Sequence, residues 1–335
     1  MKKEIKESVG IDVSKLTLDV FIHTRRDHKQ FLNNKKGFES MLKWVNQVTN
    51  CKEGIIWCFE HTGWYCVLLS QFMHESKQHY CCVNPLEIKR SMGLKRGKTD
   101  KQDAEQIARF AWLRKEELET SIPMPVKLIE LQRLMSLREQ LVKQSTALKS
   151  LSKGMLVTLE KKSGDISVGI IKQTLKQLGV QIKKVEKAME ALIKTEEVMW
   201  QNYQMSKSVK GVGNVLATQM LLHTHNYTRF ETWREFSSYC GLVPFPHQSG
   251  TSINRKPRNH SISDKKMKSL LSMSAISAIQ ADKELKIYFN KRVEEGKPKM
   301  LVLNIIRNKL VSRIFATVRR GTPFVEMKEP IKIFV

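Results

Sequence analysis

The chain has 335 residues, 41% of them hydrophobic, and carries 58 Lys and Arg against 33 Asp and Glu, a formal charge of +25. That hydrophobic share excludes a disordered tail, and the length accommodates two domains. A charge excess of this size calls for a polyanionic partner, held by phosphate contacts that release counterions. No stretch approaches the roughly 18 apolar residues of a spanning helix, and MKKEIKESVG lacks the apolar core of a signal peptide. The expectation is a cytoplasmic protein with no membrane association.

Residues 8–113 read as an alternating α/β unit. Val9, Ile11 and Val13 alternate with Gly10 and Asp12, and Leu16, Leu18, Val20 and Ile22 alternate again after Ser14 and Lys15, the period of two paired strands. KQFLNN supplies a third strand. A helix follows with Phe38, Met41, Leu42, Val45 and Val48 on one face. Next come a buried strand over 54–60, a helix over 63–73 and a strand over 79–83. Thr99 or Asp100 caps a helix through AEQIARFAWL. Cys51, Cys58, Cys66, Cys81, Cys82 and Cys240 show no metal-ligand spacing and read as free thiols, most of them in apolar surroundings.

Pro123 and Pro125 end this unit. Apolar residues at three-and-four spacing from Leu128 to Leu159, and again from Val168 to Leu192, predict a long helical hairpin with a turn over 161–164. It serves either within one chain or as a coiled coil joining subunits. The expected division is 1–122, 123–205 and 206–335. In the last part, VKGVGNVLATQML puts two glycines ahead of an apolar helix, a device that can present backbone N–H groups to phosphate. A short helix over TWREFSSYC, a polar loop over 241–263 and three helices reaching Arg320 complete the mostly helical C-terminal part.

Asp12 sits mid-strand between Ile11 and Val13, where a charge is costly unless solvated or bound to a cation. Glu60 ends the buried strand IIWCFE, and Asp100 and Asp103 share one face of a helix's first turn. As ordinary structure, Asp100 caps its helix, Asp103 favours the dipole and Glu60 is a solvated strand end. The order βββαβαβα together with four acids at these element ends points to an RNase H/RuvC-like domain. There Asp12, Glu60, Asp100 and Asp103 would hold two Mg²⁺, with Mn²⁺ able to substitute, for phosphoryl transfer. The basic run Lys89, Arg90, Lys95, Arg96, Lys98 and Lys101 leads into the acid pair as a phosphate guide. A second run comprises Arg255, Lys256, Arg258, Lys265, Lys266 and Lys268. Between 286 and 320 a third set of cations is expected to line the side of the helices opposite Leu301, Ile305, Leu310, Ile314 and Val318.

GIDVSKLTLDVF, FEHTGWY and VNPLEIKRSMGLKRGKTDKQDAEQIARFA resemble the N-terminal DEDD domain of the IS110 (insertion-sequence one-ten) transposases and the related Piv-type DNA invertases. SVKGVGNVLATQMLL, FSSYCGLVPFPHQSGTSI and KKMKSLLSMSA resemble their C-terminal transposase domain, so that the likeness runs from about residue 8 to 325. The resemblance implies a DEDD site at Asp12, Glu60, Asp100 and Asp103. It also implies a serine nucleophile, assigned to Ser249 of HQSG, with Ser252, Ser261 and Ser263 as the other loop serines. Composite sites between subunits of a homo-oligomer (dimer or tetramer), donor and target DNA as substrates, and a structured noncoding guide RNA follow from the same likeness. An active enzyme would be nucleoid-associated. The stretch after Gly250 departs from the family in lacking its usual glycines. Cations around Ser249 can stabilise a phosphorane-like transition state, and His247 or His260 can carry protons. Two other functions fit parts of the pattern: a RuvC-like structure-specific endonuclease that leaves free ends, and a basic nucleic-acid-binding protein without catalysis.

Overall fold

The computed structural model describes residues 4–50, 53–91, 99–158, 166–249, 253–258 and 262–325, and the chain divides into two units, Met1–Pro123 and Met124–Val335. In the first unit, β1 (Glu7–Val13), β2 (Thr17–Ile22) and β3 (Asp27–Leu32) form an antiparallel meander. After α1 (Lys35–Thr49), β4 (Ile55–Glu60) joins β1 in parallel; after α2 (Val67–Glu75), β5 (His79–Val83) joins β4 in parallel. The described sheet therefore has the order β3-β2-β1-β4-β5. A short α3 (Pro85–Ser91), which the sequence pattern does not announce, precedes α4 (Asp100–Leu113). Thr99 caps α4, its hydroxyl accepting from Gln102 N. The helix expected from residue 63 starts instead at Val67.

Strand alternation divides the side chains between two faces. Val9, Ile11, Val13, Leu18, Val20, Trp57 and Phe59 pack with Phe38, Met41, Val45, Leu69 and Met73 of α1 and α2. On the opposite face Ile56, Cys58, Cys81 and Val83 meet Ile107, Phe110 and Ala111 of α4. Phe21 meets Ala104 and Ala108 there. With both faces covered, β1 has no exposed side chain, and Asp12 alone in it is only half-buried. The thiols of Cys58, Cys66, Cys81, Cys82 and Cys240 are free; Cys51 lies outside the described residues.

In the second unit, α5 (Val126–Thr158) and α6 (Ile166–Lys194) run antiparallel. Lys127 bonds Thr195, Arg138 Nε meets Glu186 at 2.7 Å, and Ser167 approaches Met155. The expected turn over 161–164 lies outside the described residues. At one end of the pair, Leu128, Leu131, Met135, Val185, Met189 and Ile193 enter a core shared with the helices that follow. Those are α7 (Glu197–Ser208), α8 (Asn214–His223), α9 (Trp233–Tyr239), α10 (Lys265–Ala281), α11 (Lys283–Glu294) and α12 (Lys299–Arg320). Gly211, ahead of α8, packs on α10: a Cβ there would meet Ala278 Cβ and Ser274 O at 2.6 Å. This glycine is used for close helix packing.

Where the sequence reads as a polar loop over 241–263, β6 (Phe245–Ser249) and β7 (Ile253–Arg258) pair as an antiparallel hairpin. Two prolines mask its strand pattern. Pro246 and Pro257 have no N–H to give the ladder, and the register is irregular between Phe245 and His247.

Candidate active site

The first unit's carboxylates are brought together by register. Asp12 lies opposite Asp19 across β1 and β2, and Ile11 lies opposite Phe59, which places Asp12 beside the Glu60 end of β4. Positions 8, 10 and 12 share the face of β1 that α4 covers. Ser8 Oγ donates to Ala108 O at 2.9 Å, and a Cβ on Gly10 would meet Ala104 O and Ala108 N at 2.2 Å. Only glycine lets the helix lie this close. Four helical residues rise about 6 Å and two strand residues about 6.6 Å. Stepping from Ala108 to Ala104 to Asp100 therefore keeps pace with Ser8 to Gly10 to Asp12. The first turn of α4, with Asp100 and Asp103, arrives over Asp12.

Electrostatics record the same grouping. The Asp12 carboxyl is pushed up from 3.8 to about 6, first by burial and then by the negative charges of Asp103, Asp100, Glu60 and Asp19. Asp103 and Glu60 are half-buried and Asp100 is exposed, so the group opens to solvent on one side. Among the described residues no three His, Cys, Asp or Glu side chains stand close enough to enclose a metal. The acids lie within electrostatic reach of one another, short of a closed coordination cage. Their donor chemistry, oxygen only, suits a hard divalent cation, and a cation is what relieves repulsion of this kind.

Asp19 is a further acid that the sequence pattern does not single out. It is 5% exposed and accepts from His28 Nε2 at 2.9 Å and Gln30 Nε2 at 3.0 Å. The available signal was its place in TLDVFI, a charge inside an alternating strand just as Asp12 is.

Of the basic candidates, Lys89 and Arg90 are exposed in the last turn of α3, while Lys95, Arg96 and Lys98 lie outside the described residues. Lys265 and Lys266 are exposed in the first turn of α10, where Lys266 pairs with Glu139. Arg255, Lys256 and Arg258 are on β7, opposite β6. Ser249 is the last residue of β6 and pairs in register with Ile253, which puts it at the tip of the hairpin. Ser252, Ser261 and His260 lie outside the described residues; Ser263 is half-buried at the return into α10. The C-terminal cations do not all line an outer face as expected. Arg307 is 5% exposed, and Arg313 is held by Asp282 at 2.6 Å and Glu284 at 2.8 Å.

Among the described residues no helix is long and apolar enough to cross a membrane. Residues 9–159 match a family model described as Transposase, and residues 203–290 match the model of the Transposase IS116/IS110/IS902 family. The chain is 29% identical over 329 residues to the pilin gene-inverting protein of Moraxella bovis, spanning 95% of this chain and 98% of that one. The protein of the same name from Moraxella lacunata is 29% identical over 331 residues, with the same shares. An IS110 insertion-element protein of Streptomyces coelicolor is 28% identical over 168 residues, 50% of this chain and 40% of that protein. Two family models in the right order along one chain, and similarity to DNA-inverting proteins over nearly its whole length, lead to one conclusion: the chain belongs to the IS110 family of transposases.

Proposed function

We propose that this transposase cuts and rejoins DNA by phosphoryl transfer, with an RNase H/RuvC-like carboxylate centre in residues 1–122 and a serine nucleophile in residues 206–335. Residues 123–205 form the helical part between them. The strand order β3-β2-β1-β4-β5 with α4 across β1 supports the first assignment. The observation that carries the reading is the gathering of Glu60, Asp100, Asp103 and Asp19 around Asp12, whose charges add to burial in raising its carboxyl to about 6. A site that raises the energy of its own charges is poised for cations. Mg²⁺ bound there, or Mn²⁺ in its place, would neutralise the acids and supply Lewis-acid stabilisation of the reacting phosphate oxygens.

In the second unit Ser249 is the proposed nucleophile. Its hydroxyl oxygen bonds to phosphorus, its proton passes to a base, and the deoxyribose oxygen leaves with the bond electrons. The phosphoserine ester keeps the energy of the broken bond, so rejoining by the reverse attack requires no ATP. His247 lies two positions before Ser249 on the same strand. Arg255, Lys256 and Arg258 on the paired strand supply charge for the phosphate. Donor and target DNA and a structured noncoding guide RNA are the proposed partners of the basic segments. Homo-oligomers would form through apolar positions exposed along α5 and α6, such as Leu137, Leu151, Ile170 and Val180.

Cleavage of DNA carrying the element's ends tests the carboxylate centre. Asp12→Ala should leave a folded protein that cleaves nothing in Mg²⁺, and wild type should lose cleavage in EDTA and regain it with Mg²⁺ or Mn²⁺. Undiminished strand exchange by Asp12→Ala would remove the carboxylates from the reaction.

A further inference from the structure

A buried cation in the second unit has no acid to balance it among the described residues. Arg307, on α12, is 5% exposed, and its guanidinium donates to Asn304 Oδ1 at 3.3 Å. Its Nε–H is buried with no acceptor. A guanidinium carries five N–H donors, and burying one without a carboxylate is strongly unfavourable. Arg313, on the same helix, shows the contrast: two acids hold it. A second cation, Lys268 of α10, is near enough to feel the charge of Arg307. Burial and then the positive charge of Arg307 push the Lys268 ammonium down, and burial alone pushes Arg307 down. Lys268 lies within electrostatic reach of Arg307, on two helices that pack together.

Their place in the fold is informative. One turn from Arg307, Asn304 Nδ2 donates to Leu242 O at 2.8 Å. Leu242 N in turn bonds Ser237 O at 2.9 Å, and Leu242 stands three residues before β6 begins. On the return side, Asp264 N bonds Tyr239 O at 3.1 Å and the Asp264 carboxylate caps α10. The foot of the β6–β7 hairpin is thus fixed to the two helices that carry Lys268 and Arg307. From Phe245, β6 runs about 13 Å to Ser249 at the tip.

We propose that Arg307 and Lys268 form a phosphate-binding subsite at the foot of the hairpin, which takes a backbone phosphate of the DNA strand being cut at its tip. Bound phosphate supplies the missing acceptors: an oxyanion bridges the guanidinium N–H groups in fork geometry and meets the ammonium as a point charge. The phosphate enters from the Lys268 side, since Lys268 is half-buried and Arg307 lies beneath the surface. Anchoring a phosphate this far from Ser249 fixes the register of the strand on the hairpin. Arg307 is then a positioning residue and forms no bond in the reaction. The proposal rests on the reading of the hairpin as the cutting centre.

The test uses the full chain, Arg307→Met and Lys268→Gln. In chloride, Arg307→Met should melt at the same temperature as wild type or higher, because an unbalanced buried charge has been replaced by an apolar chain of similar length. Changing chloride for inorganic phosphate at equal ionic strength should raise the melting temperature of wild type more than that of either variant. Affinity for element-end DNA should fall about tenfold or more in Arg307→Met, and the slope of log affinity against log salt should shrink by about one. Equal stabilisation of all three proteins by phosphate overturns the subsite. A lower melting temperature with unchanged DNA affinity also overturns it, making Arg307 a structural residue only. Stabilisation by phosphate with unchanged DNA affinity assigns the site to a small anion and overturns the DNA assignment. Should Arg307→Met fail to fold, Lys268→Gln decides on the same readouts. A covalent adduct on a residue other than Ser249 sinks the nucleophile and leaves the subsite standing, whereas unchanged binding by the variants does the reverse.

Discussion

Asp12→Asn should stabilise the metal-free protein. The Asp12 carboxyl ionises at about 6 in the fold against an ordinary 3.8. The folded state therefore resists its charge, and above pH 6 that resistance counts against folding. The rise from 3.8 to about 6 corresponds to a ceiling of about 3 kcal/mol. Asp12 is only half-buried, and solvent screening brings the expected gain to about 1–2 kcal/mol. Asparagine keeps the shape and removes the charge. The sign follows from the raised value: the penalty is fully present above the folded-state pKa, fades as pH falls through 6, and is gone below 3.8. Thermal melts of the first unit's transition in EDTA at pH 7.5 should put the variant several degrees above wild type, and melts at pH 4 should bring the two together. Mg²⁺ at pH 7.5 should raise wild type and act less on Asp12→Asn. A variant that melts below wild type at pH 7.5, or a gain that persists at pH 4, would refute the combined burial and crowding of charge at Asp12.

Gly10→Ala puts a methyl within 2.2 Å of Ala104 O and Ala108 N. It should destabilise the first unit by about 1–3 kcal/mol and weaken cleavage beyond the loss of fold, because the shift of α4 moves Asp100 and Asp103; chemical denaturation beside cleavage at a temperature where both proteins are folded checks this. Binding of DNA and of RNA should weaken steeply between about 50 and 200 mM salt, as multiple phosphate contacts require, and a filter-binding series reads the slope. A flat series for both would mean that the +25 charge does not serve nucleic-acid binding.

Much of the first unit was legible because its signals are local. Alternation in GIDV and TLDVF gives the first two strands, and Thr99 followed by an apolar helix gives the start of α4. Asp12, Glu60, Asp100 and Asp103 could be named because each stands at a conspicuous point of its own element. What makes them a group is not local. The close seat of α4 on Gly10 depends on residues about 100 positions away. Asp19 escaped notice because its burial is offset by His28 and Gln30 on the neighbouring strand, and no spacing along the chain announces cross-strand partners. The hairpin was hidden by Pro246 and Pro257 and by its polar composition. Arg307 reads as one more cation on a basic helix. That it points inward is set by the packing of α10 on α12, which charge patterning does not reveal.

The most direct test of the account is to trap the reaction on DNA carrying the element's ends, in Mg²⁺ and with the proposed guide RNA, and to map the protein by peptide sequencing after denaturing electrophoresis. Wild type should carry a DNA phosphate on Ser249, and Ser249→Ala should carry none while binding DNA and RNA as before, since one hydroxyl adds little to a complex held by many phosphates. Adduct on another serine would move the nucleophile and spare the covalent mechanism. Cleaved ends with no adduct on any residue would contradict it, leaving hydrolysis by the carboxylate centre alone.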